Sequence, residues 1–255
     1  MIFILKSIFK KLIIVALIIG ILTGGLVGLE VFSSLPEIND ESFYYQLADP
    51  NEEDGILILE KEDYFTSLDD LSPYILDALI AIEDQRFYKH NGVDPIRIMG
   101  AVLANVQSGF GTEGGSTITQ QLVKITWLDQ SEKTLKRKLV EAVTAMRIEK
   151  RYDKKEILYV YLNKVYYGKA GYGIKTASEY YFDKDVSLLG LEESAIITGI
   201  IQNPTLHSPV NRKESMINRA KTVLFRMLEQ EKISAEEETI AKNNLDSVNY
   251  INVRE

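Results

Sequence analysis

The longest uncharged apolar stretch of the chain runs from Leu12 to Leu29 and covers eighteen residues. At a rise of about 1.5 Å per residue, a helix of that length reaches roughly 27 Å, close to the thickness of a bilayer's hydrocarbon core. Three lysines precede it, at positions 6, 10 and 11. Because positive residues stay on the cytoplasmic side, the pattern predicts a cytoplasmic N-terminus over residues 1–11 and a transmembrane anchor over residues 12–31.

A cleaved signal peptide is the alternative interpretation of this stretch. The apolar region of a signal peptide usually spans about 7–15 residues and ends at a site with small side chains. The segment Val31-Phe32-Ser33-Ser34 is a poor site of that kind. We therefore expect an uncleaved, single-pass anchor with the rest of the chain outside the cytoplasm.

The pattern beyond the anchor predicts a mainly α-helical protein. Residues 32–59 read as a polar linker, and a short apolar run at its end is the main strand signal. Ser72 and Pro73 suit the N-cap and first position of a helix that carries Ile75 and Leu79 on its apolar face. Further helices are predicted from Pro95 to about Val106, from Thr117 onward, and over residues 134–151, 154–167, 188–201 and 216–228. The soluble domain is thus expected over residues 60–228, and an acidic polar tail over residues 229–255.

The helix predicted over residues 134–151 has a distinct apolar stripe. The side chains expected to face the core are Leu135, Leu139, Val143 and Met146. Glu141 and the basic residues 136–138 lie away from this stripe. We therefore predict that Glu141 is not on the buried face.

Composition and charge exclude several classes of site. The chain has no cysteine and only two histidines, which excludes disulfides, a cysteine nucleophile and a zinc site built from several histidines. The net charge is -8, yet residues 124–155 hold ten Lys/Arg against five Asp/Glu. A basic stretch in an acidic protein indicates a local anionic ligand rather than nucleic acid, unless it is only a solvated helix face with intrahelical ion pairs.

Glu83 is the first candidate catalytic residue. It follows the apolar run Ala78-Leu79-Ile80-Ala81-Ile82 at the end of a predicted helix. Apolar neighbours should desolvate its carboxylate, which suits a general base that works near neutral pH. The alternative is an exposed glutamate at a helix end.

The segment from Ser116 to Lys124 predicts a helix start behind a glycine-rich loop. Thr117 and Gln120 have the spacing of a capping box. Free backbone N–H groups at such a start favour phosphate, and Lys124 adds a charge two turns later. A plain capped helix is the alternative.

Glu141 is the second candidate carboxylate. Arg137 and Lys138 precede it by four and three residues, so all three share one helix surface. The cations should keep Glu141 ionised and suit it to orienting cations, or a divalent metal, at a pyrophosphate. An ordinary intrahelical ion pair is the alternative.

These elements fit the transfer of a sugar from a pyrophosphate donor. Such a transfer needs a base for the acceptor hydroxyl, stabilisation of an oxocarbenium-like transition state, and cations for the departing pyrophosphate. A general acid is optional because pyrophosphate leaves readily once neutralised, unlike the alkoxide in glycoside hydrolysis.

Taken together, the segments resemble the peptidoglycan glycosyltransferase family, which polymerises lipid II. The motifs that carry the resemblance are Glu83-Asp84-x-x-Phe87-x-x-His90-x-Gly92-x-Asp94, Gly114 to Lys124, Arg137-Lys138-x-x-Glu141, Glu156 to Gly168, and more weakly Gln202-Asn203-Pro204. The match covers about residues 60–228. Ile125 and Val140 depart from residues that are common in the family.

The resemblance implies a lysozyme-like fold with a smaller, membrane-dipping lobe, in a bacterial cell (inner) membrane. It implies Glu83 as the base on the acceptor's 4-hydroxyl, inversion at the donor's anomeric carbon, and Glu141 as the second essential carboxylate. Residues it assigns to substrate binding are Asp84, Phe87, His90, Ser116, Thr117, Gln120, Gln121, Lys124, Arg137 and Lys138. A lone histidine such as His90 is otherwise better suited to a structural hydrogen bond. A divalent cation, Mg²⁺ or Mn²⁺, often assists in this family, and no organic cofactor is expected.

The expected partners are lipid II, the growing glycan chain and the membrane, with other cell-wall synthesis proteins as further candidates. About 27 residues follow the match, too few for a transpeptidase domain, so the chain resembles the monofunctional type unless it is part of a longer protein. Two other functions stay open: a lytic enzyme that cuts finished glycan, and a non-catalytic membrane scaffold for wall synthesis.

Overall fold

A computed structural model describes residues 24–48, 56–58, 66–108, 115–129 and 134–250. Residues 24–33 are helical (α1). Among the described residues, no helix combines the length and apolarity needed to cross a bilayer. The predicted cytoplasmic N-terminus and most of the anchor predicted over residues 12–31 lie outside the described residues.

The described residues are mainly helical, as predicted. The further helices are α2 (Asp40–Tyr45), α3 (Pro73–Glu83), α4 (Pro95–Ser108), α5 (Ile118–Trp127), α6 (Leu135–Ile148), α7 (Lys154–Lys164), α8 (Ile174–Phe182), α9 (Leu191–Ile200), α10 (Lys213–Glu229) and α11 (Ala235–Asn244). Strands β1 (Gln46–Ala48) and β2 (Ile56–Ile58) form an antiparallel pair with Leu47 opposite Leu57.

Local signals in the sequence set several helix starts. At α5, the hydroxyl of Thr117 accepts from the N–H of Gln120, and the Gln120 side chain accepts in turn from the Thr117 N–H, both at 3.1 Å. This is the predicted capping box. At α3, Pro73 takes the first position as predicted, but the Ser72 hydroxyl donates to the Leu189 carbonyl at 2.6 Å and does not cap the helix.

The helices pack in two groups. In one, α3 packs against α9 and α10, and α11 covers α9 and α10. In the other, α5 packs against α6, α7 and β1. The last residue of α3 reaches across to α5, so the C-terminal end of α3 lies where the two groups meet.

The linker predicted over residues 32–59 is wrong for residues 40–48, which form α2 and β1. The strand signal at the end of that segment is confirmed, because Ile56–Ile58 form β2. Phe43 is fully buried, and its ring stacks on Tyr152 with centroids 3.6 Å apart. The Nζ of Lys164 donates to the carbonyls of Ser42 at 3.0 Å and Gln46 at 2.6 Å. One aromatic ring and one buried lysine therefore hold an otherwise polar segment against α7.

The tail predicted over residues 229–255 is also wrong for its described part. Ser234 caps α11 in a capping box with Glu237. Ala241 and Leu245 are buried against the body of the protein. The helix is acidic on its exposed side, which is why its composition resembles a solvated tail.

The buried face of α6 differs from the prediction. Val140, Glu141, Thr144, Ala145 and Ile148 are buried, whereas the predicted core residues Leu135, Leu139 and Met146 are 76, 38 and 40 % exposed. Three of the four predicted core residues thus face outward, Val143 is partly buried against the core, and Glu141 faces inward. This exchange of faces is what brings Glu141 into the candidate site.

Candidate active site

Glu83 is buried at the end of α3 and has partners from two other helices. Glu83 is only 6 % exposed to solvent. Gln121 of α5 donates from Nε2 to Glu83 Oε2 at 2.8 Å. Arg219 of α10 donates from Nη2 to Glu83 Oε1 at 3.3 Å. The apolar approach predicted for Glu83 is present, and a guanidinium supplies the countercharge that a buried carboxylate needs.

The orientation of the Gln121 amide is fixed by Tyr161. The Tyr161 hydroxyl donates to Gln121 Oε1 at 2.8 Å, which leaves the Nε2 end to donate to Glu83. Tyr161 is fully buried, and desolvation, reinforced by the nearby Glu83 carboxylate, raises the pKa of its phenol well above the usual value. The phenol therefore stays a hydrogen-bond donor, and the three side chains form one directed chain.

Glu141 faces α5 from α6 and has cations of its own helix around it. It is 2 % exposed. Oε2 accepts from Arg137 Nη1 at 3.3 Å, and Oε1 accepts from Gln120 Nε2 at 3.3 Å and from the Nζ of Lys138. Lys138 also donates to Ser116 Oγ at 2.7 Å. The predicted group of Ser116, Arg137, Lys138 and Glu141 is thus assembled.

Several residues assigned to substrate binding are interior residues. Asp84, Phe87 and Thr117 have no exposed surface, and Gln120 is 2 % exposed. Their burial does not favour the direct substrate contacts predicted for them, and those contacts stay predictions. They instead hold the residues that line the site.

Asp84 and His90 form a buried pair at the start of α5. His90 Nε2 lies 3.0 Å from Asp84 Oδ2, and the same oxygen accepts from the Ile118 N–H at 3.0 Å. The histidine side chain is only 2 % exposed. The structural hydrogen bond that suits a lone histidine is present, and the predicted substrate contact of His90 is not supported by its burial.

Two of the N–H groups that were predicted for phosphate at the start of α5 already have acceptors within the protein. The Ile118 N–H is bonded to Asp84 and the Gln120 N–H to the Thr117 hydroxyl. A carboxylate of the protein thus already occupies the positive end of this helix. The helix start positions the site, and side-chain cations are left to bind an anion.

An open cleft of about 280 Å³ adjoins Gln121 and Lys124. Lys124 follows Gln121 by three residues, so both side chains project from one face of α5. The other lining residues are Leu47, Ile125, Tyr161, Lys164, Val165, Tyr166, Tyr172, Ile201, Gln202 and Pro204. Polar, cationic and aromatic groups in one cleft suit a substrate with both sugar and anionic parts.

The residues around Glu141 do not fit a divalent metal held by the protein. Both oxygens of this carboxylate already accept from nitrogen donors, two of them cationic. The described residues contain no cluster of three or more His, Asp or Glu side chains that suits a metal ion. The prediction that Glu141 meets a divalent metal through the donor's pyrophosphate stays a prediction.

Arg219 is the main site residue that the sequence analysis did not identify. It lies on α10 between Met216, Ala220 and Val223, all of which are buried. A charged residue on the apolar face of an amphipathic helix was the available signal, because such a residue needs a buried partner. Glu149, a buried carboxylate near the start of α5, was missed as well.

The fold and the site define a mainly helical protein in which consecutive glutamines of α5 hold two buried glutamates. One of these glutamines, Gln121, also lines the cleft. The family model described as Transglycosylase matches residues 55–228, more than half of the chain. The chain belongs to this family of peptidoglycan glycosyltransferase domains, as its motifs predicted.

Similar proteins include penicillin-binding protein 1A/1B of Bacillus subtilis (strain 168), 39% identical over 244 residues that cover 92% of this chain and 27% of that one. Penicillin-binding protein 1A of Escherichia coli (strain K12) is 40% identical over 200 residues, covering 77% of this chain and 23% of that one. A crystal structure of penicillin-binding protein 1A from Haemophilus influenzae aligns at a TM-score of 0.41 and 23% identity, over 69% of this chain and 17% of that one.

The chain spans about a quarter of the length of the curated relatives it matches. The monofunctional organisation predicted from its length stays a prediction. The lysozyme-like arrangement of lobes stays one too, because the likeness to the solved structure is too low to define it.

Proposed function

We propose that this protein polymerises lipid II into linear glycan strands by inverting glycosyl transfer. The observation that carries the proposal is the pair of neighbouring glutamines on α5. Gln121 Nε2 donates to Glu83 at 2.8 Å, and Gln120 Nε2 donates to Glu141 at 3.3 Å. Because consecutive Cα atoms are only about 3.8 Å apart, the two carboxylates are held on one short piece of helix. A base and a cation-holding acid, both held by one turn of α5, suit transfer from a diphosphate donor.

Glu83 is the general base in this mechanism. An ionised carboxylate offers about four acceptor positions, and Gln121 and Arg219 take two of them. A remaining position accepts the proton of the acceptor sugar's 4-hydroxyl. The deprotonated oxygen attacks the donor's anomeric carbon, a carbon–oxygen bond forms on one face, and the bond to the diphosphate breaks on the other.

Glu141 orients the cations that receive the departing diphosphate. Its carboxylate fixes Arg137 and Lys138 on one face of α6. The Lys138 side chain is 44 % exposed, so its ammonium is open to a ligand while it stays bonded to Ser116 and Glu141. Lys124, on the cleft face of α5, supplies a third positive charge. Fixed cations stabilise charge that grows in the transition state.

We propose that Mg²⁺ or Mn²⁺, where it assists, arrives bound to the donor diphosphate. Such an ion would neutralise the leaving group's charge. The cationic surroundings of Glu141 favour this over an ion held by the protein alone.

A location at a bacterial cell (inner) membrane, with the N-terminus in the cytoplasm, is part of the same proposal. The apolar run of residues 12–29 and the lysines before it support it. A group of exposed apolar side chains also supports it: Leu26, Leu29, Phe32, Ile96, Met99 and Leu135. Lys136 pairs with Glu30 at 2.9 Å, which ties α1 to the first turn of α6. A lipid-linked substrate would enter from that side.

The test is gel analysis of products from purified full-length chain. We would incubate it with lipid II and, separately, with purified glycan, each with and without Mg²⁺ or Mn²⁺. The proposal expects longer glycan strands from lipid II and no change in finished glycan. Shortened glycan would indicate the lytic alternative, and no product in either reaction would favour the scaffold.

A further inference from the structure

A buried ionic cluster lies at the N-terminus of α5 and is centred on Glu149. The Glu149 side chain is 3 % exposed. Its Oε1 accepts from the Thr119 hydroxyl at 2.5 Å, and its Oε2 accepts from Lys154 Nζ at 2.7 Å. His90 Nδ1 lies 3.7 Å from Glu149 Oε1, while Nε2 of the same ring bonds to Asp84. One carboxylate thus contacts groups from three separate parts of the chain.

The location of these partners gives the cluster its importance. Glu149 is the C-cap residue of α6, and Lys154 is the first residue of α7. Thr119 lies in the first turn of α5, and His90 lies in the segment after α3. Lys154 also lies over the ring of Phe87, 4.2 Å from its centroid. The segment that follows α3 therefore meets the C-terminal end of α6 and the starts of α5 and α7 at this point.

The first turn of α5 is held by two acids in succession. Asp84 accepts from the Ile118 N–H, and Glu149 accepts from the hydroxyl of Thr119, the next residue. Negative groups at a helix N-terminus are also stabilised by the helix dipole. The next two residues are Gln120 and Gln121, which hold Glu141 and Glu83. A shift of this turn would move both glutamines together.

We propose that Glu149 is a positioning residue for glycosyl transfer, which fixes the first turn of α5 and thereby the geometry of Glu83 and Glu141. This role rests on the proposed function for its effect on rate. It assigns to Glu149 no contact with substrate. The competing explanation is a buried ion pair that contributes to stability alone.

Glu149→Gln distinguishes the two explanations, because it keeps the shape of the side chain and removes the charge that pairs with Lys154. We expect kcat for lipid II to fall about tenfold to a hundredfold, since small misplacements of catalytic groups cost that much. We expect KM to stay within about twofold, because substrate contacts are retained. The measurements are made well below the melting temperature of the variant.

Glu193→Gln is the matched control. Glu193 of α9 pairs with Lys184 at 2.6 Å, and its side chain is 11 % exposed. Loss of the Glu193–Lys184 ion pair should lower the melting temperature but leave kcat unchanged. If both variants lose stability and both keep kcat, Glu149 has only a structural role and the proposal is wrong.

A double-mutant cycle with Gln121→Ala tests the route of the effect. If Glu149 acts through Gln121, the loss from Glu149→Gln should be much smaller in the Gln121→Ala background. Independent, multiplicative losses would contradict that route.

Hydrogen exchange provides a readout that does not depend on activity. Glu149→Gln should speed amide exchange in the first turn of α5 relative to the wild type and to Glu193→Gln. Unchanged exchange there would overturn the proposal whatever the enzyme does. A wild-type chain that leaves lipid II unpolymerised would instead overturn the proposed function, and the exchange rates would still decide whether Glu149 holds the helix.

Discussion

Gln121 donates a 2.8 Å hydrogen bond to Glu83 and so connects α5 of one helix group to the C-terminal end of α3 in the other group. The amide accepts from Tyr161 at its opposite end, so it cannot turn over without breaking both bonds. Glu83 thus has a fixed direction before any substrate binds. A base with a fixed direction loses little entropy when the acceptor hydroxyl arrives.

Glu83→Gln should therefore remove most of the polymerisation rate and leave the fold intact. An amide of the same shape cannot take the acceptor's proton, and the loss of a positioned base is worth about 10²–10⁴-fold in rate. The rate of lipid II consumption and the melting temperature are the measurements. Glu179→Gln, at an exposed position on α8, is the matched control and should keep full activity. A Glu83→Gln variant as active as the wild type would remove Glu83 from the mechanism.

Arg219→Met should lower the rate by about tenfold to a hundredfold, because Glu83 then loses its charged partner and its fixed geometry. The methionine fills much of the same space, so the helix packing around Met216 and Val223 should persist. Steady-state kinetics with lipid II measure the effect. Arg226→Met on the same helix is the control, since that arginine pairs with Glu229 at the surface. Equal rates for the two variants would show that the Arg219–Glu83 pair has no role in transfer.

The sequence was sufficient for most helices, and it singled out Glu83 and Glu141 as candidates whose catalytic roles stay predictions. Capping signals such as Thr117 with Gln120 act locally, so they predict helix starts without knowledge of the fold. Arg219 could not be assigned to Glu83 in the same way, because 136 positions separate them in the chain. Only packing of α10 against α3 makes them neighbours.

The predicted face of α6 was wrong for a physical reason. Periodicity finds the more apolar stripe, and it assigns that stripe to the core. Here the stripe with Leu135 and Leu139 is exposed, while Glu141 and Thr144 are buried. The charge of Glu141 is compensated by cations from its own helix and by Gln120, so its burial could not be read from hydrophobicity.

Gly92→Ala should destabilise the protein markedly. Gly92 has φ +89°, and a Cβ there would lie 2.6 Å from the backbone carbon of Ala145 in α6. Strain of this kind costs about 1–3 kcal/mol, and the clash with backbone adds to it. We expect the melting temperature to fall by several degrees. Because α6 must shift to make room, Glu141 moves and the rate should fall as well.

Gly100→Ala is the matched control for that substitution. A Cβ at Gly100 meets nothing within 4 Å, and the residue lies in α4. Alanine in a helix is favoured over glycine by roughly 0.5–1 kcal/mol. The control should thus be neutral or slightly stabilising. A Gly92→Ala variant that melts with the control would contradict the close approach of Gly92 to α6.

Lys164→Met should change how stability depends on pH. Lys164 is fully buried, and desolvation lowers the pKa of its amine well below the usual 10.5. Between that lowered pKa and 10.5, the unfolded chain therefore binds more protons at this position than the folded chain does. Stability must then rise with pH across this window. Methionine cannot titrate, so the variant should lack this part of the rise.

The measurement is the melting temperature of the wild type and of Lys164→Met at intervals from pH 7 to about pH 10. Lys169→Met, at an exposed position, is the control and should follow the wild type. The variant also removes the Lys164 donor from the carbonyls of Ser42 and Gln46, although the Ser42 carbonyl still accepts from the Gln46 N–H. An unsatisfied buried carbonyl costs about 1–3 kcal/mol at every pH, so its loss displaces the curve without changing its slope. Parallel curves for the wild type and Lys164→Met would therefore mean that the amine is not held in a desolvated place.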